Sequence, residues 1–245
     1  MNPLLITDLG LISYTEACAL QQRLAAARKA GAMEDVLLLC EHPHVITLGR
    51  NAKRENLLVS EHVLRQKGVE LHATNRGGDI TYHGPGQIVG YPILNLGAIK
   101  RDVGWYVRTL EEIMIRTTAD FGLTAFRIPG KTGIWVNPVA KPRAAEEKLA
   151  AIGVHISRWV TTHGFAYNVS TDLRYFDLIV PCGISGHKAT SLEKLLSRSI
   201  SAEDVKPRLT QHFAQLFGLE PHAVPRDSLL KKLTQAEESM RVTAQ

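Results

Sequence analysis

The sequence has few cysteines, and none of the spacings that would give them a structural role. Its 245 residues include three cysteines, an odd number, and no two of them form a Cys-x-x-Cys pair. This set argues against both a disulfide framework and a structural zinc site. Cys40, Glu41, His42 and His44 do crowd together. Because side chains alternate along a strand, these four cannot all converge, and we expect no metal centre.

Long apolar runs are also missing. Runs such as Val36–Cys40 are far too short to span a bilayer, and the N-terminal segment lacks the features of a secretory signal. We therefore expect a cytoplasmic protein that does not bind membranes. Lysine and arginine exceed aspartate and glutamate by 29 − 24 = 5. With no strong basic cluster we predict no nucleic acid binding, although this surplus would suit an acidic protein partner.

Neither familiar phosphate-binding pattern is present, although one segment is rich in glycine. The segment RGGDITYHGPGQ, residues 76–87, holds four glycines, but no Gly-Lys-Ser/Thr follows and the Rossmann fingerprint is missing. The pair Gly77-Gly78 lets backbone approach a substrate closely, and Gly84-Pro85-Gly86 predicts a sharp turn between two strands. A β-hairpin with a glycine turn would explain the turn, but not the concentration of Arg76, the glycine pair and His83 before it.

Helix caps and short apolar runs predict mixed helices and strands, hence an α/β or α+β fold in one domain. Helix starts are marked by Ser13-x-x-Glu16, Asp102, Thr190-x-x-Glu193 and Ser201-x-x-Asp204. The polar segment 137–147 predicts an exposed connection. Predicted strands cover residues 36–40, 45–48, 69–74, 88–93, 131–136, 149–154, 157–161 and 165–169.

One cysteine has the surroundings of a nucleophile. Cys182 follows an apolar run and sits between Pro181 and Gly183, which predicts a thiol in a tight loop at a strand end. Cys18 and Cys40 lie in apolar surroundings, where a buried thiol behaves as a small hydrophobe. A thiol needs a nearby cation to become thiolate at neutral pH, and histidine or a partly desolvated lysine can supply it. Spacing alone does not select among the ten histidines and the lysines.

Five segments together resemble the signature of the lipoyl(octanoyl) transferases, in that family's order. They are RGGDITYHGPGQIVGY (76–91), GKTGIWV (130–136), KLAAIG (148–153), HGFAYNV (163–169) and PCGIS (181–185). EHPHVITLGR (41–50) resembles the family's early segment, with His44 and Ile46 at variable places. The likeness covers roughly residues 10 to 200.

The resemblance implies a role for individual residues. Cys182 matches the acyl-thioester nucleophile, and Lys148 matches the lysine that lowers the pKa of that thiol and handles protons. The implied fold is that of the biotin and lipoate protein ligases, a mixed β-sheet with flanking helices and an acyl tunnel. The chain would be a single catalytic domain over residues 1–245, with a helical C-terminal extension from about residue 200. Substrate-binding positions would be Arg76, Gly77, Gly78, Asp79, Ile80, Thr81, Tyr82, His83, Ala151, Ile152, Gly153, Gly164, Phe165 and Ala166.

The activity so implied is transfer of an octanoyl group from octanoyl-acyl carrier protein to a lysine of a lipoyl domain, through a thioester on the enzyme. The acceptors would be lipoyl domains of 2-oxoacid dehydrogenase complexes and the glycine cleavage H protein. The acyl group arrives on the carrier's phosphopantetheine, so we expect no further cofactor, and we expect a monomer. Three alternatives stay open: an ATP-dependent lipoate or biotin ligase, a non-catalytic acyl-carrier-binding protein, and a thiol hydrolase.

Overall fold

The computed structural model describes residues 2–137, 146–180 and 188–243. Cys182 therefore lies outside the described residues, as does most of the connection predicted at 137–147. The described strands are β1 (Asn2–Leu11), β2 (Asp35–Glu41), β3 (Val45–Leu48), β4 (Glu70–Ala73), β5 (Ile80–His83), β6 (Gln87–Ile93), β7 (Ala125–Ile128), β8 (Lys131–Val136), β9 (Glu147–Ser157), β10 (Val160–Asn168) and β11 (Leu219–Ala223).

Helices flank these strands. They are α1 (Tyr14–Lys29), α2 (Glu61–Gln66), α3 (Leu96–Ile99), α4 (Val103–Ala119), α5 (Leu192–Leu196), α6 (Ala202–Phe217) and α7 (Arg226–Thr243). Among the helices described, none is long and apolar enough to cross a membrane.

A large mixed sheet forms the centre of the described structure. Its strand order is β11-β1-β2-β6-β10-β9-β8-β7. The pairs β11–β1 and β1–β2 are parallel, and the pairs from β2 to β7 are antiparallel. Apolar side chains of α4 and α6 cover one face, and those of α1 and α7 cover the other. Because β2 and β6 are buried on both faces, they read as nearly continuous apolar runs.

A second sheet, with the order β4-β3-β5, lies beside the large one. The Gly84-Pro85-Gly86 turn carries the chain from β5 in the small sheet to β6 in the large sheet, so it does not close a hairpin. The turn needs its glycines for steric reasons. A Cβ at Gly84 would lie 1.8 Å from the Tyr82 hydroxyl. Gly86 has a φ of +78°, and a Cβ there would lie 2.7 Å from the Ser170 carbonyl carbon.

Most predicted helix starts are confirmed by their capping hydrogen bonds. Ser13 accepts from the Glu16 amide, Asp102 accepts from the Trp105 amide, and Ser201 forms a capping box with Asp204. The cap predicted at Thr190 is wrong by one residue, since Ser191 caps α5. Thr190 and Ser191 both have a hydroxyl side chain that can cap a helix, so the sequence alone did not show which of the two does so.

Two strand predictions differ from the structure. The strand predicted at 157–161 is wrong, because Arg158 and Trp159 have φ of +51° and +62° and form the tight turn between β9 and β10. The turn was missed because it contains neither glycine nor asparagine. The strand β1 was not predicted, and the region after residue 200, predicted to be mostly helical, also contains β11, which pairs with β1.

Candidate functional site

A cleft between the two sheets gathers most of the residues predicted to bind substrate. It has about 480 Å³ of empty space, counting its open mouth. Its predicted lining residues are Arg76, Gly78, Asp79, Ile80, Thr81, His83, Ala151, Ile152, Gly153, Gly164, Phe165 and Ala166.

The other two predicted residues lie beside the cleft. The Gly77 amide donates to the Val154 carbonyl at 2.9 Å, and this hydrogen bond holds the glycine-rich segment against β9. Tyr82 points to the opposite side of β5, where its hydroxyl bonds to His44 at 2.7 Å and its ring stacks on Tyr175. Its neighbours Thr81 and His83 line the cleft instead.

Small side chains form the floor of the cleft. In the β9–β10 pair, Ala151 lies opposite Ala166 and Gly153 opposite Gly164. A Cβ at Gly153 would lie 2.9 Å from the Gly77 carbonyl oxygen, so this position must be glycine for the segment to lie so close. The sheet surface is thus shallow here and leaves room for an apolar chain.

Arg76 fixes the glycine-rich segment from inside the protein. Its buried guanidinium donates to the Thr47 carbonyl at 2.6 Å, to the Thr47 hydroxyl at 2.9 Å and to the Gly77 carbonyl at 3.0 Å. These bonds tie the loop before β5 to the neighbouring strand β3. The arginine therefore has a supporting position in addition to lining the cleft.

The histidines of the cleft are neutral at physiological pH. The pKa of His83 is lowered to about 3, mainly by burial and also by the nearby His42 and Arg76. Burial also lowers the pKa of His163 to about 4, with Arg76 acting in the same direction. His83 Nδ1 lies 2.7 Å from Gln87 Oε1 and donates to it in its neutral form. Neither imidazole is thus suited to act as the cation that stabilises a thiolate.

Two of the three cysteines are poor nucleophiles. Burial raises the pKa of the Cys18 thiol, and it raises that of the fully buried Cys40 well above its usual range. Both therefore stay protonated at neutral pH. Cys40 Sγ lies 3.6 Å from His42 Nε2. The imidazole of His42 forms shorter hydrogen bonds, to the Ile12 carbonyl and to the Tyr91 hydroxyl, both at 2.7 Å.

Lys148 lies near the start of β9, three positions before Ala151. Its Nζ is 5.1 Å from the centre of the Trp135 ring, within the range of a cation–π contact. The strand β8 makes space for it at Gly133, which has a φ of +112°. A Cβ there would lie 2.4 Å from the Ala150 carbonyl and 2.9 Å from Lys148 Cε. The Gly133 amide donates to Glu111, which holds this strand in place.

Val180 and Lys188, the described residues that flank positions 181–187, both bond to elements near this cleft. On one side, the Val180 amide donates to the Asn56 carbonyl at 2.8 Å, and the Asn56 side chain donates to the cleft residue Asp79. On the other side, the Lys148 amide donates to the Lys188 carbonyl at 2.8 Å, and Thr190 donates back to Lys148. Val180 thus lies near the cleft and Lys188 lies beside the strand that bears Lys148.

Four residues of the cleft wall were not predicted: Tyr14, Val89, Tyr91 and His163. Val89, Tyr91 and His163 stand within the segments used for the resemblance, so their neighbourhood was visible in the sequence. Tyr14 is the first residue of α1, and nothing local marks it. Its ring stacks on His83 with centres 6.2 Å apart, a contact across 69 positions of sequence.

Comparison with known proteins gives a consistent picture. Residues 13–214 match the family model described as the lipoyl protein ligase A/B catalytic domain. Proteins named octanoyltransferase are similar over most of their length. The one from Solibacter usitatus (strain Ellin6076) is 55% identical, covering 88% of this chain and 93% of its own. The one from Koribacter versatilis (strain Ellin345) is 50% identical, covering 86% and 83%.

The fold is shared with a bipartite lipoate protein ligase of Thermoplasma acidophilum, solved in a structural analysis of that ligase and its E2 lipoyl domain. The two superpose with a TM-score of 0.71, covering 97% of this chain and 91% of that one, at 17% identity. The ligase-like fold expected from the sequence, a mixed sheet with flanking helices, is thereby confirmed.

Proposed function

This chain belongs to the family of the lipoyl protein ligase A/B catalytic domain, and we propose that it transfers an octanoyl group to lipoyl domains through a thioester on Cys182. The resemblance to octanoyltransferases that the sequence motifs indicated is confirmed by relatives at 43–55% identity that carry that name. The chain is accordingly an acyltransferase that acts in protein lipoylation. The donor, the covalent intermediate and the residue roles are the parts proposed here.

In the first step, the Cys182 thiolate attacks the carbonyl carbon of an octanoyl thioester on acyl carrier protein. A new carbon–sulfur bond forms, the bond to the carrier's sulfur breaks, and the carrier leaves as its thiol after gaining a proton. In the second step, the ε-amine of a lipoyl-domain lysine attacks the acyl-enzyme, which gives an amide and restores the thiolate. The exchange of thioesters is nearly balanced and the amide lies downhill, so the reaction needs neither ATP nor a cofactor.

Lys148 is the proposed proton carrier. It takes the proton of the Cys182 thiol and later assists the loss of a proton from the incoming amine. The observation that most supports this role is the pair of anchors at Val180 and Lys188, since the second of them is a direct hydrogen bond to the Lys148 backbone. The neutral cleft histidines and the protonated Cys18 and Cys40 favour the same assignment.

The octanoyl chain would lie on the floor of Ala151, Gly153, Gly164 and Ala166, with Ile80 and Ile152 as apolar walls. Burial of each methylene contributes about 0.8 kcal/mol. The acidic carrier would dock on the basic surplus of the surface, and its binding would weaken as salt rises. We further propose that the enzyme works as a cytoplasmic monomer and that its acceptors are the lipoyl domains of 2-oxoacid dehydrogenases and the glycine cleavage H protein.

The test is transfer from octanoyl-carrier protein to a purified lipoyl domain without ATP, followed by the intact mass of the lipoyl domain. We expect it to gain one octanoyl group. Transfer that required ATP and free octanoate would identify a ligase instead. Octanoate released at the same rate without the lipoyl domain would identify a hydrolase, and binding of the carrier without turnover would identify a binding protein.

Two lysines beside Trp135 provide a matched pair of variants for the role of Lys148. Lys131 Nζ lies 5.7 Å from the ring centre and Lys148 Nζ 5.1 Å, so each substitution removes one positive charge from the same indole. We expect Lys148→Ala to slow acylation by about 10²-fold or more, the usual contribution of a general acid–base group. Lys131→Ala should slow it only a few-fold. Equal effects of the two substitutions would contradict the assigned role.

A further inference from the structure

A second cavity lies behind the acyl cleft and shares two wall residues with it. Tyr14 and His163 line both cavities. The second one has about 900 Å³ of empty space, counting its opening to solvent. Its remaining wall is about half polar and half apolar, and it includes Cys18, Gln21, Thr74, Asn75 and Thr162. These two residues thus lie at the junction between the cleft and a larger cavity of mixed polarity.

The strand register places these two side chains at the far end of the cleft from Lys148. Along β9, Lys148 comes first, then Ala151 and Gly153, and Val154 lies opposite His163. On β10 the cleft floor therefore runs from Ala166 through Gly164 to His163. These three steps of extended strand cover about 10 Å.

That length corresponds to an acyl chain of about eight carbons. Three residues of extended backbone contain nine main-chain atoms in a zigzag, and they also span about 10 Å. An extended alkyl chain has similar bond lengths and angles. A chain that starts near Ala166 therefore reaches the His163 side chain with its last carbons.

His163 is held firmly in this position. Its backbone amide donates to Gln21 Oε1 at 2.8 Å, and its φ of +55° turns the side chain out of the regular strand alternation. Its Nε2 lies 2.6 Å from Asn75 Oδ1, to which the neutral imidazole donates. Tyr14 is buried beside it, with its hydroxyl near Cys18 and Thr74. A longer acyl chain would have to displace both side chains and break the hydrogen bond between His163 and Asn75.

We propose that His163, positioned by Asn75, and Tyr14 form the closed end of the acyl cleft and limit the enzyme to acyl chains of about eight carbons. This inference rests on the proposed octanoyl transfer. It assigns to His163 a role in substrate specificity. Removal of the imidazole would join the cleft to the second cavity and give longer chains a place to extend.

The test compares rates of enzyme acylation by carrier protein loaded with octanoyl or dodecanoyl groups, followed by intact mass. The first variant is His163→Gly, since glycine adopts a φ of +55° without strain. The second is Asn75→Ala, which removes the imidazole's partner at an exposed position and disturbs folding less. The matched control is Asn51→Ala, an exposed asparagine absent from the described linings of both cavities. Thermal unfolding shows which variants are folded.

We expect the ratio of dodecanoyl to octanoyl rates to rise at least tenfold in His163→Gly and severalfold in Asn75→Ala, and to stay at the wild-type value in Asn51→Ala. A ratio unchanged within twofold in folded His163→Gly overturns the inference. If that variant does not fold, an unchanged ratio in Asn75→Ala does so. These results apply when the wild-type protein accepts octanoyl groups. If it accepts none, the proposed function itself fails, and the inference fails with it.

Discussion

The position of Lys148 depends on a glycine in the neighbouring strand, which gives a sharp test of the proposed chemistry. Gly133 has a φ of +112°, a region that residues with a side chain rarely adopt. In Gly133→Ala the new Cβ would also meet the Ala150 carbonyl oxygen at 2.4 Å and Lys148 Cε at 2.9 Å. Relief of the oxygen contact requires β8 to shift against β9, and relief of the second contact requires the Lys148 side chain to move. We expect Lys148 Nζ to shift by about 1 Å.

The size of both effects follows from this geometry. Backbone strain at such a φ costs about 1–3 kcal/mol, and overpacking adds about 1–3 kcal/mol. A shift of about 1 Å in a catalytic group lowers rates by about 10²-fold. We therefore expect Gly133→Ala to lose stability and also to form the acyl-enzyme about 10²-fold more slowly.

Gly130 offers the matched control. It lies in the turn before β8 with a φ of +77°, but a Cβ there would have nothing within 4 Å. Gly130→Ala should therefore lose about 1–2 kcal/mol of unfolding free energy from backbone strain alone. Acylation should stay near the wild-type rate. The two variants separate a loss of stability from a displacement of Lys148.

The assay is rapid mixing with octanoyl-carrier protein, acid quenching and intact mass, with urea unfolding measured in parallel. If Gly130→Ala and Gly133→Ala form the acyl-enzyme at the same rate while both remain folded, the acylation rate does not depend on the position of Lys148. The mechanism proposed for Lys148 would then be wrong.

Two further predictions concern stability. His83 and His163 have pKa values of about 3 and about 4 in the folded protein, against about 6.5 when unfolded. The unfolded chain therefore binds more protons between pH 4 and 6.5, and the unfolding free energy should decrease as the pH is lowered through this range, by up to about 1.4 kcal/mol per pH unit for each histidine. Urea unfolding across this range should show a shallower slope in His163→Gly, and an unchanged slope would contradict the assignment. Gly86→Ala should lower the unfolding free energy by at least about 1 kcal/mol more than Gly68→Ala. Both glycines have a positive φ, but only at Gly86 would the added Cβ meet neighbouring atoms. Equal losses of unfolding free energy in urea would refute this steric argument.

The elements predicted most accurately from sequence were those with a local chemical signal. Ser13, Asp102 and Ser201 each carry a side-chain oxygen that accepts a hydrogen bond from the amide three residues ahead, so the helix start is encoded within one turn. The buried run in β2 was equally visible because both its faces are covered. The turn at Arg158 and Trp159 had no such signal, since neither residue is a usual turn former.

Long-range pairing could not be predicted in the same way. The parallel pairing of β1 with β11 joins Asn2 to Leu219, and nothing near either residue indicates the other. The same holds for the Gly84-Pro85-Gly86 turn, which looks like a hairpin locally. Whether it joins paired strands or two different sheets depends on partners elsewhere in the chain, and β5 pairs with β3.

The candidate site was predictable to the extent that its residues lie in contiguous motifs. The glycine-rich segment and the stretches around Ala151 and Phe165 reach the same cleft because β9 and β10 pair in register. Tyr14 enters the cleft only through the packing of α1 against the sheet. His163 was adjacent to a predicted stretch, but its place at the end of the cleft depends on a positive φ and on Asn75.

The most direct measurement is the location of the acyl group after the protein is mixed with octanoyl-carrier protein in the absence of ATP and of any lipoyl domain. Mass analysis of peptides should find one octanoyl group on Cys182, removable by hydroxylamine as a thioester is, and should find none in Cys182→Ser. An octanoyl group on another residue would contradict the account, as would Cys182→Ser transferring octanoyl groups to a lipoyl domain at the wild-type rate.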